Sequence, residues 1–293
     1  MRKALTVAVL LVAGIAIVSL VVGEVLSAPA RTKIGPPPAE LDAETISLAD
    51  SQGRTIAGWF ARGTPGHGAI LLLHGVRSNR RQMTRRAIYL HDLGYSVLLV
   101  DLQAHGESDG ERISFGYREA DGVKAALQFL RTSNAADSIG VIGVSLGAAS
   151  FVLSDAKPQL SAVVLESMYP TIDEAVADRL RLRLGPIGPL LAPLLTTQLQ
   201  LRLGLSDTQL RPIDHISLVG APVLIISGTE DRHTTVAEAK RLFDAAREPK
   251  ELWLIDGAAH VDFFNFARNA YEKRIAQFLH KYLTVNGYAN VGR

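Results

Sequence analysis

The chain contains no cysteine among its 293 residues. That absence excludes disulfide bonds, zinc–thiolate sites and a cysteine nucleophile, and it leaves the redox compartment open. Charge bias is missing as well. With 31 Lys and Arg against 29 Asp and Glu, the formal net charge is +2, too small to mark a dedicated nucleic-acid surface. There is no internal repeat and no long low-complexity tract, which sets repeat architectures aside. What remains is a globular composition, 47% hydrophobic and 20% charged. It suits one sizeable core but is too short for two large domains plus an anchor.

Charge is absent in a second, local sense. Arg2 and Lys3 precede residues 4–22, which carry no charged side chain. A helix of that length spans about 28 Å at 1.5 Å per residue, close to the roughly 30 Å hydrocarbon core of a bilayer. A secretory signal has a shorter apolar stretch, but Ala28-Pro29-Ala30 is a small-x-small pattern where a signal peptidase could cut. Residues 1–30 are therefore expected to be a signal anchor or a signal peptide, with membrane association through residues 4–22. Basic residues ahead of the span stay cytoplasmic, so the rest of the chain is expected outside the cytoplasm, anchored if the helix is kept and secreted if it is cut. Residues 31–43, with Pro36-Pro37-Pro38, read as a stiff extended linker.

From residue 44 onward the pattern predicts an α/β domain running to residue 293. Residues 44–49 and 54–61 flank the turn residues Asp50-Ser51-Gln52-Gly53 and predict a hairpin. Short apolar runs at 69–73, 96–100, 138–142, 162–165, 223–226 and 251–255 alternate with helix-like stretches at about 79–92, 115–132 and from 146. Continuous apolar runs of this length are what strands buried on both faces require, so a mostly parallel sheet flanked by helices is expected. A last helix over 262–283 places Phe264, Ala267, Tyr271, Ile275, Phe278 and Leu279 near one stripe. Residues 168–215 are too long for a simple connection. Rich in Leu and Arg and broken at Gly185-Pro186 and Gly188-Pro189, they predict a small helical cap inserted over the sheet.

Gly143-Val144-Ser145-Leu146-Gly147 follows a predicted strand and opens a predicted helix. A tight strand-to-helix turn pushes the serine hydroxyl out of the sheet, and glycines two residues to either side leave room for it. The helix N-terminus then offers free N–H groups to an oxyanion. A serine nucleophile needs a base. His260 lies just after a predicted strand and before the last helix, at the sheet edge where Ser145 is exposed. His74 and His105 lie at similar edges ahead of the serine. His91 and His280 fall in helices, His67 in a glycine-rich turn and His215 after the cap. The base needs a carboxylate to orient it, and Asp231, in Ser227-Gly228-Thr229-Glu230-Asp231, follows an apolar strand. Glu230 and Asp262 are its rivals; two residues from His260, Asp262 suits a helix cap instead, and His233 reads as a neighbour of the acid.

Leu73-His74-Gly75, Asp101-x-x-x-His105-Gly106-x-Ser108, the Ser145 turn, Gly228-Thr229-Glu230-Asp231 and Gly257-x-x-His260 occur in that order, each at a strand end. Over residues 44–284 the chain resembles the α/β-hydrolase fold, in the group that includes monoacylglycerol lipases, serine aminopeptidases and related membrane-anchored hydrolases. The resemblance implies a serine hydrolase with Ser145, Asp231 and His260 as its triad, in the serine–acid–histidine order of that fold. It implies an oxyanion hole from the amides of Leu146 and, after His74-Gly75, Val76. His74, Asp101, His105 and Ser108 then order loops. The sequence after His74-Gly75 departs from the H-G-G-G of many lipases. A small-molecule carboxylic ester, including a monoacylglycerol-like lipid, is the expected substrate. An amide or peptide is the alternative, as is a binding protein with a silent site. No metal and no organic cofactor is expected, and no nucleic-acid partner. Arg77, Arg80, Arg81, Arg85 and Arg86 crowd the helix after residue 76, and Arg179, Arg181, Arg183 and Arg202 lie among cap leucines. Both groups read as solvated helix faces, with contact to anionic lipid as the sharper alternative.

Overall fold

The apolar runs become strands, and those in the middle of the sheet are buried on both faces. The computed structural model describes residues 1–133, 138–154 and 160–283, and residues 284–293 of the expected domain lie outside the described residues. The main sheet has eight strands: β1 (Glu44–Ala49), β2 (Thr55–Ala61), β3 (Ala69–Leu73), β4 (Ser96–Val100), β5 (Ile139–Val144), β6 (Leu160–Glu166), β7 (Val223–Gly228) and β8 (Lys250–Ile255). They lie in the order β8-β7-β6-β5-β3-β4-β2-β1. β2 runs antiparallel to β1 and β4, and the other neighbours are parallel. Every residue of β3, β4, β5 and β7 is buried. Alternate side chains feed two cores: Leu71, Leu98 and Val163 join one, while Ile70, Leu99 and Val164 join the other. Each fully buried aliphatic side chain contributes about 1.5–3 kcal/mol.

Helices cover both faces. One core takes Val123, Ala126, Leu127 and Leu130 of α3 (Glu119–Thr132) and Ala148, Ala149 and Val152 of α4 (Leu146–Leu153). The other takes Ala87 and Leu90 of α2 (Thr84–Asp92) and Tyr271, Ile275, Phe278 and Leu279 of the C-terminal helix Arg268–Leu283. That helix is shorter than the expected 262–283. Ala267, at φ −132° and ψ 48°, breaks it from a separate turn, Phe263–Phe266, whose N-cap is Asp262. The strand order reverses between β3 and β5, which opens a crevice outside their carboxyl ends. Residues 172–218 fold as short helices, among them α5 (Ile172–Leu184), α6 (Ala192–Thr196) and α7 (Gln198–Leu203).

The N-terminal helix α1 (Arg2–Ser27) is long and apolar enough to cross a membrane. The segment expected as a stiff extended linker lies against the domain. Ala30–Arg31 pairs with His105–Gly106 as a short parallel ladder, and Ile34 and Leu41 are buried in the core. A proline-rich stretch carries no periodicity, so two anchoring apolar residues within it gave no pattern to read.

Buried polar groups tie down the crevice floor. Arg80 is buried against Asp101 and also pairs with Glu107. Arg86 is buried against Glu166 at 2.7 Å, with Asp262 at 2.9 Å and Tyr271 beside them. These two arginines were expected on a solvated face. They are instead internal counter-ions, because each meets a carboxylate at a strand end that would otherwise be stranded. Asp101 Oδ1 accepts the Arg80 amide at 2.7 Å, and Ser108 Oγ donates to the Asp101 carbonyl at 2.6 Å while accepting the Ala57 amide at 2.9 Å. His74 Nε2 accepts the Leu102 amide at 3.0 Å, so its proton sits on Nδ1 and goes to the Gly75 carbonyl at 2.7 Å. His105 repeats the arrangement, accepting the Arg77 amide on Nε2 at 3.0 Å and donating from Nδ1 to the Gln103 carbonyl at 2.9 Å.

Replacing Glu166 with Ala leaves the Arg86 charge short of its main partner. We predict a loss of about 3–5 kcal/mol in urea unfolding, most of it recovered in the apolar pair Arg86→Met with Glu166→Leu. Burial, and then the neighbouring His105 charge, lowers the pKa of His74 from 6.5 to about 3. Between those values the unfolded chain binds a proton that the folded chain refuses, so stability falls as pH falls, by up to about 1.4 kcal/mol per pH unit. In His74→Asn, urea midpoints followed across that window decline less steeply, by close to one proton.

Candidate active site

The turn between β5 and α4 is a single residue, Ser145, with φ 50° and ψ −108°. Few non-glycine residues adopt a positive φ, and here the neighbours enforce it. A Cβ on Gly143 would stand 2.7 Å from the Ala148 backbone, and one on Gly147 would stand 2.6 Å from the Leu73 carbonyl oxygen. Both positions therefore require glycine, and α4 starts directly against the end of β3. The Ser145 amide donates to the Glu166 carbonyl at 2.8 Å, which fixes the turn to the end of β6.

The loop after β3 is pinned on either side of Val76. The Gly75 amide donates to Gln82 Oε1 at 2.8 Å, and the Arg77 amide, at φ 55°, is taken by His105. Between them, the Val76 amide has no acceptor in the protein among the described residues. The Leu146 amide, at the first position of α4, is likewise an unpaired helix-terminal donor. Ser145, Leu146 and Val76 line one cavity of about 280 Å³, together with Arg77, Tyr169, Ile172, Leu199 and residues of α1.

Asp231 and His260 come from the loops after β7 and β8, and those loops are laced together. The Glu230 amide donates to the Ala258 carbonyl at 2.9 Å, and the Gly257 amide to Thr229 Oγ1 at 2.8 Å. A Cβ on Gly228 would stand 2.1 Å from the Ala258 oxygen. Asp231 Oδ2 accepts from His260 Nδ1 at 2.8 Å, Thr234 Oγ1 at 2.8 Å and Ser167 Oγ at 3.1 Å. Its Oδ1 accepts the amides of His233 at 2.8 Å and Thr234 at 3.0 Å. Burial acts to raise the Asp231 pKa, but the bonds from His260 and Thr234 outweigh it and hold the carboxyl at about 2. With the Nδ1 hydrogen given to Asp231, His260 Nε2 is the ring nitrogen without hydrogen, and among the described residues it has no hydrogen-bond partner in the protein. The His233 ring lies 5.1 Å from that of His260, and burial, followed by the His260 charge, lowers the His233 pKa. Glu230 is exposed and Asp262 caps a helix, so neither rival carboxylate holds the imidazole.

Three positioning residues escaped the sequence reading: Gln82, Ser167 and Thr234. Thr234 alone had a local cue, since an Asp that bonds the amides two and three residues on is a common turn device. Ser167 acts across the fold on Asp231, Gln82 reaches back seven residues to Gly75, and no motif around either announces it. Arg179 of the cap lines the cavity beside Ser145 and lies close enough to Asp231 and His233 to influence both.

The family model for alpha/beta hydrolases matches residues 70–272. An uncharacterised Bacillus subtilis protein, YqkD, is 27% identical over 245 residues, covering 82% of this chain and 80% of its own length. An uncharacterised Mycobacterium tuberculosis protein, Rv2307c, is 30% identical over 221 residues, covering 74% of this chain and 72% of its own. Among solved structures, a Pyrococcus furiosus esterase superposes with a TM-score of 0.74 at 22% identity, over 88% of this chain and 98% of that one. An Exiguobacterium antarcticum esterase does so with a TM-score of 0.61 at 15% identity, over 81% and 100%. At such identities the solved structures speak to the fold, whereas the family match takes in every strand end that builds the crevice: this chain belongs to the alpha/beta hydrolase family.

Proposed function

We propose that the chain is a membrane-anchored serine hydrolase that cleaves a carboxylic ester through an acyl-enzyme. The observation that carries this reading is the Asp231–His260 hydrogen bond of 2.8 Å. It belongs to a strand-end cluster in which Ser145 sits on a strained turn beside two unspent amides. Two structural neighbours, from Pyrococcus furiosus and Exiguobacterium antarcticum, are esterases, which agrees with it.

In this reading Ser145 Oγ attacks the ester carbonyl carbon as its proton passes to His260 Nε2. The carbonyl oxygen becomes an oxyanion, held by the amides of Leu146 and Val76; one donor of this kind contributes about 2.7–4 kcal/mol. Asp231 stabilises the imidazolium without itself taking the proton. Collapse of the intermediate breaks the bond to the alcohol oxygen, which leaves with the proton from His260. Water then attacks the acyl-serine, giving a proton to His260, and the second collapse returns that proton to Ser145 and frees the carboxylic acid. Helix α1, uncharged over residues 4–22, holds the enzyme in the membrane, with Arg2 and Lys3 on the cytoplasmic side and the hydrolase domain on the other.

Ser145→Ala is expected to cut turnover of p-nitrophenyl acetate by about 10³-fold or more and to abolish labelling by a fluorophosphonate probe. Unchanged turnover would refute the nucleophile. Asp231→Asn, which leaves His260 without its anionic partner, is expected to lower kcat by about 10⁴-fold.

A further inference from the structure

The last turns of α1 are built into the cavity. Gly23, Leu26 and Ser27 line it together with Ser145. Gly23 marks the closest approach to α7, where an added Cβ would stand 2.3 Å from Gln198 Oε1. Ser19 Oγ donates to the Leu194 carbonyl at 2.9 Å, and Arg202 Nη2 to the Leu20 carbonyl at 2.6 Å. Glu24 pairs with Arg202 and Arg112. Arg77 Nη1 donates to the Val25 carbonyl at 2.8 Å, and the Ile113 amide to the Ser27 carbonyl at 2.9 Å. Immediately beyond, the Ala30 amide donates to the Ala104 carbonyl at 2.8 Å. Cutting the chain within Ala28-Pro29-Ala30 would detach one wall of the cavity.

Depth follows from length. About 20 helical residues cross the hydrocarbon of a bilayer, so a span that starts at residue 4 brings Gly23 and Leu26 to the far interface, where Glu24 is the first acidic residue. The cap beside this end of α1 exposes Ile187 at 65%, Leu190 at 78% and Leu201 at 83%, an apolar face next to a membrane helix.

We propose that α1 is retained in the working enzyme as a wall of the substrate cavity, and that the cavity takes an acyl chain directly from the bilayer. The substrate class is a membrane-resident, single-chain carboxylic ester whose carbonyl lies at the interface and whose chain runs along Leu26 and Leu199. This rests on Ser145 being the nucleophile, and the test separates the two claims.

Full-length protein in phosphatidylcholine vesicles is treated with an alkyl fluorophosphonate carrying a diazirine at the chain end. Intact mass reports phosphonylation, and photolysis followed by trypsin reports where the chain lies. The expected result is a full-length chain that still begins at residue 1 or 2, phosphonylated on Ser145 and crosslinked within residues 20–27. Phosphonylation with crosslinks only in the sheet domain or α5, or a membrane-extracted chain that begins beyond residue 27, overturns the inference and leaves the serine-hydrolase reading standing. Absence of phosphonylation removes both. As a second measurement, Leu26→Trp is expected to lower the ratio of dodecanoyl- to acetyl-ester kcat/KM about tenfold, the scale of a small volume change in an apolar pocket. Both rates come from one sample, so the ratio does not depend on the fraction folded, and an unchanged ratio counts against the proposal.

Discussion

The arrangement depends on how closely the first turn of α4 lies against the end of β3. The Gly147 α-carbon sits where even a methyl group would meet the Leu73 carbonyl. That proximity forces the chain to reverse within one residue and drives Ser145 into its positive φ. It also sets the Leu146 amide facing the loop that carries the Val76 amide. A side chain at 147 would separate helix from strand and part the two amides together, so the hydroxyl and both unpaired amides are positioned by one steric contact. The energy held in that turn is offset by the two cores beneath it, where strands covered on both faces bury every side chain they carry.

That double coverage also explains what could be read in advance. A strand with helices on both faces has no polar side, so its sequence is an uninterrupted apolar run, and the ends of β3, β5, β7 and β8 stand out against it. Residues that follow such runs, among them His74, Ser145, Asp231 and His260, could be found from their neighbours alone. Arg80 and Arg86 could not. Arginine belongs to the surface by default, and only the meeting of α2 and the turn before it with carboxylates from two different strand ends makes it internal. Ser167 was hidden for the same reason, since it acts on Asp231, which is distant in the chain; Gln82 reaches back only seven residues to Gly75, but no motif marks that contact. The break at Ala267 had no glycine or proline to mark it.

The arginines divide into separate tasks. Arg80 and Arg86 neutralise acids inside the domain, Arg77 and Arg202 hold the end of α1, and Arg179 brings a positive charge to the edge of the cavity beside Asp231. A nearly neutral overall charge thus conceals an uneven interior distribution. No acidic residue lines the cavity that holds Ser145.

The lacing between the loops after β7 and β8 has a mechanical consequence. Gly228 touches Ala258, and Thr229 holds Gly257, so carboxylate and imidazole sit on one laced pair of loops, and the end of β6 joins that pair to the serine turn: Ser167 bonds Asp231 while the Glu166 carbonyl takes the Ser145 amide. Two consecutive residues of one strand end thus set the spacing between the acid and the hydroxyl, so a substitution that shifts the backbone at 166 or 167 displaces both together.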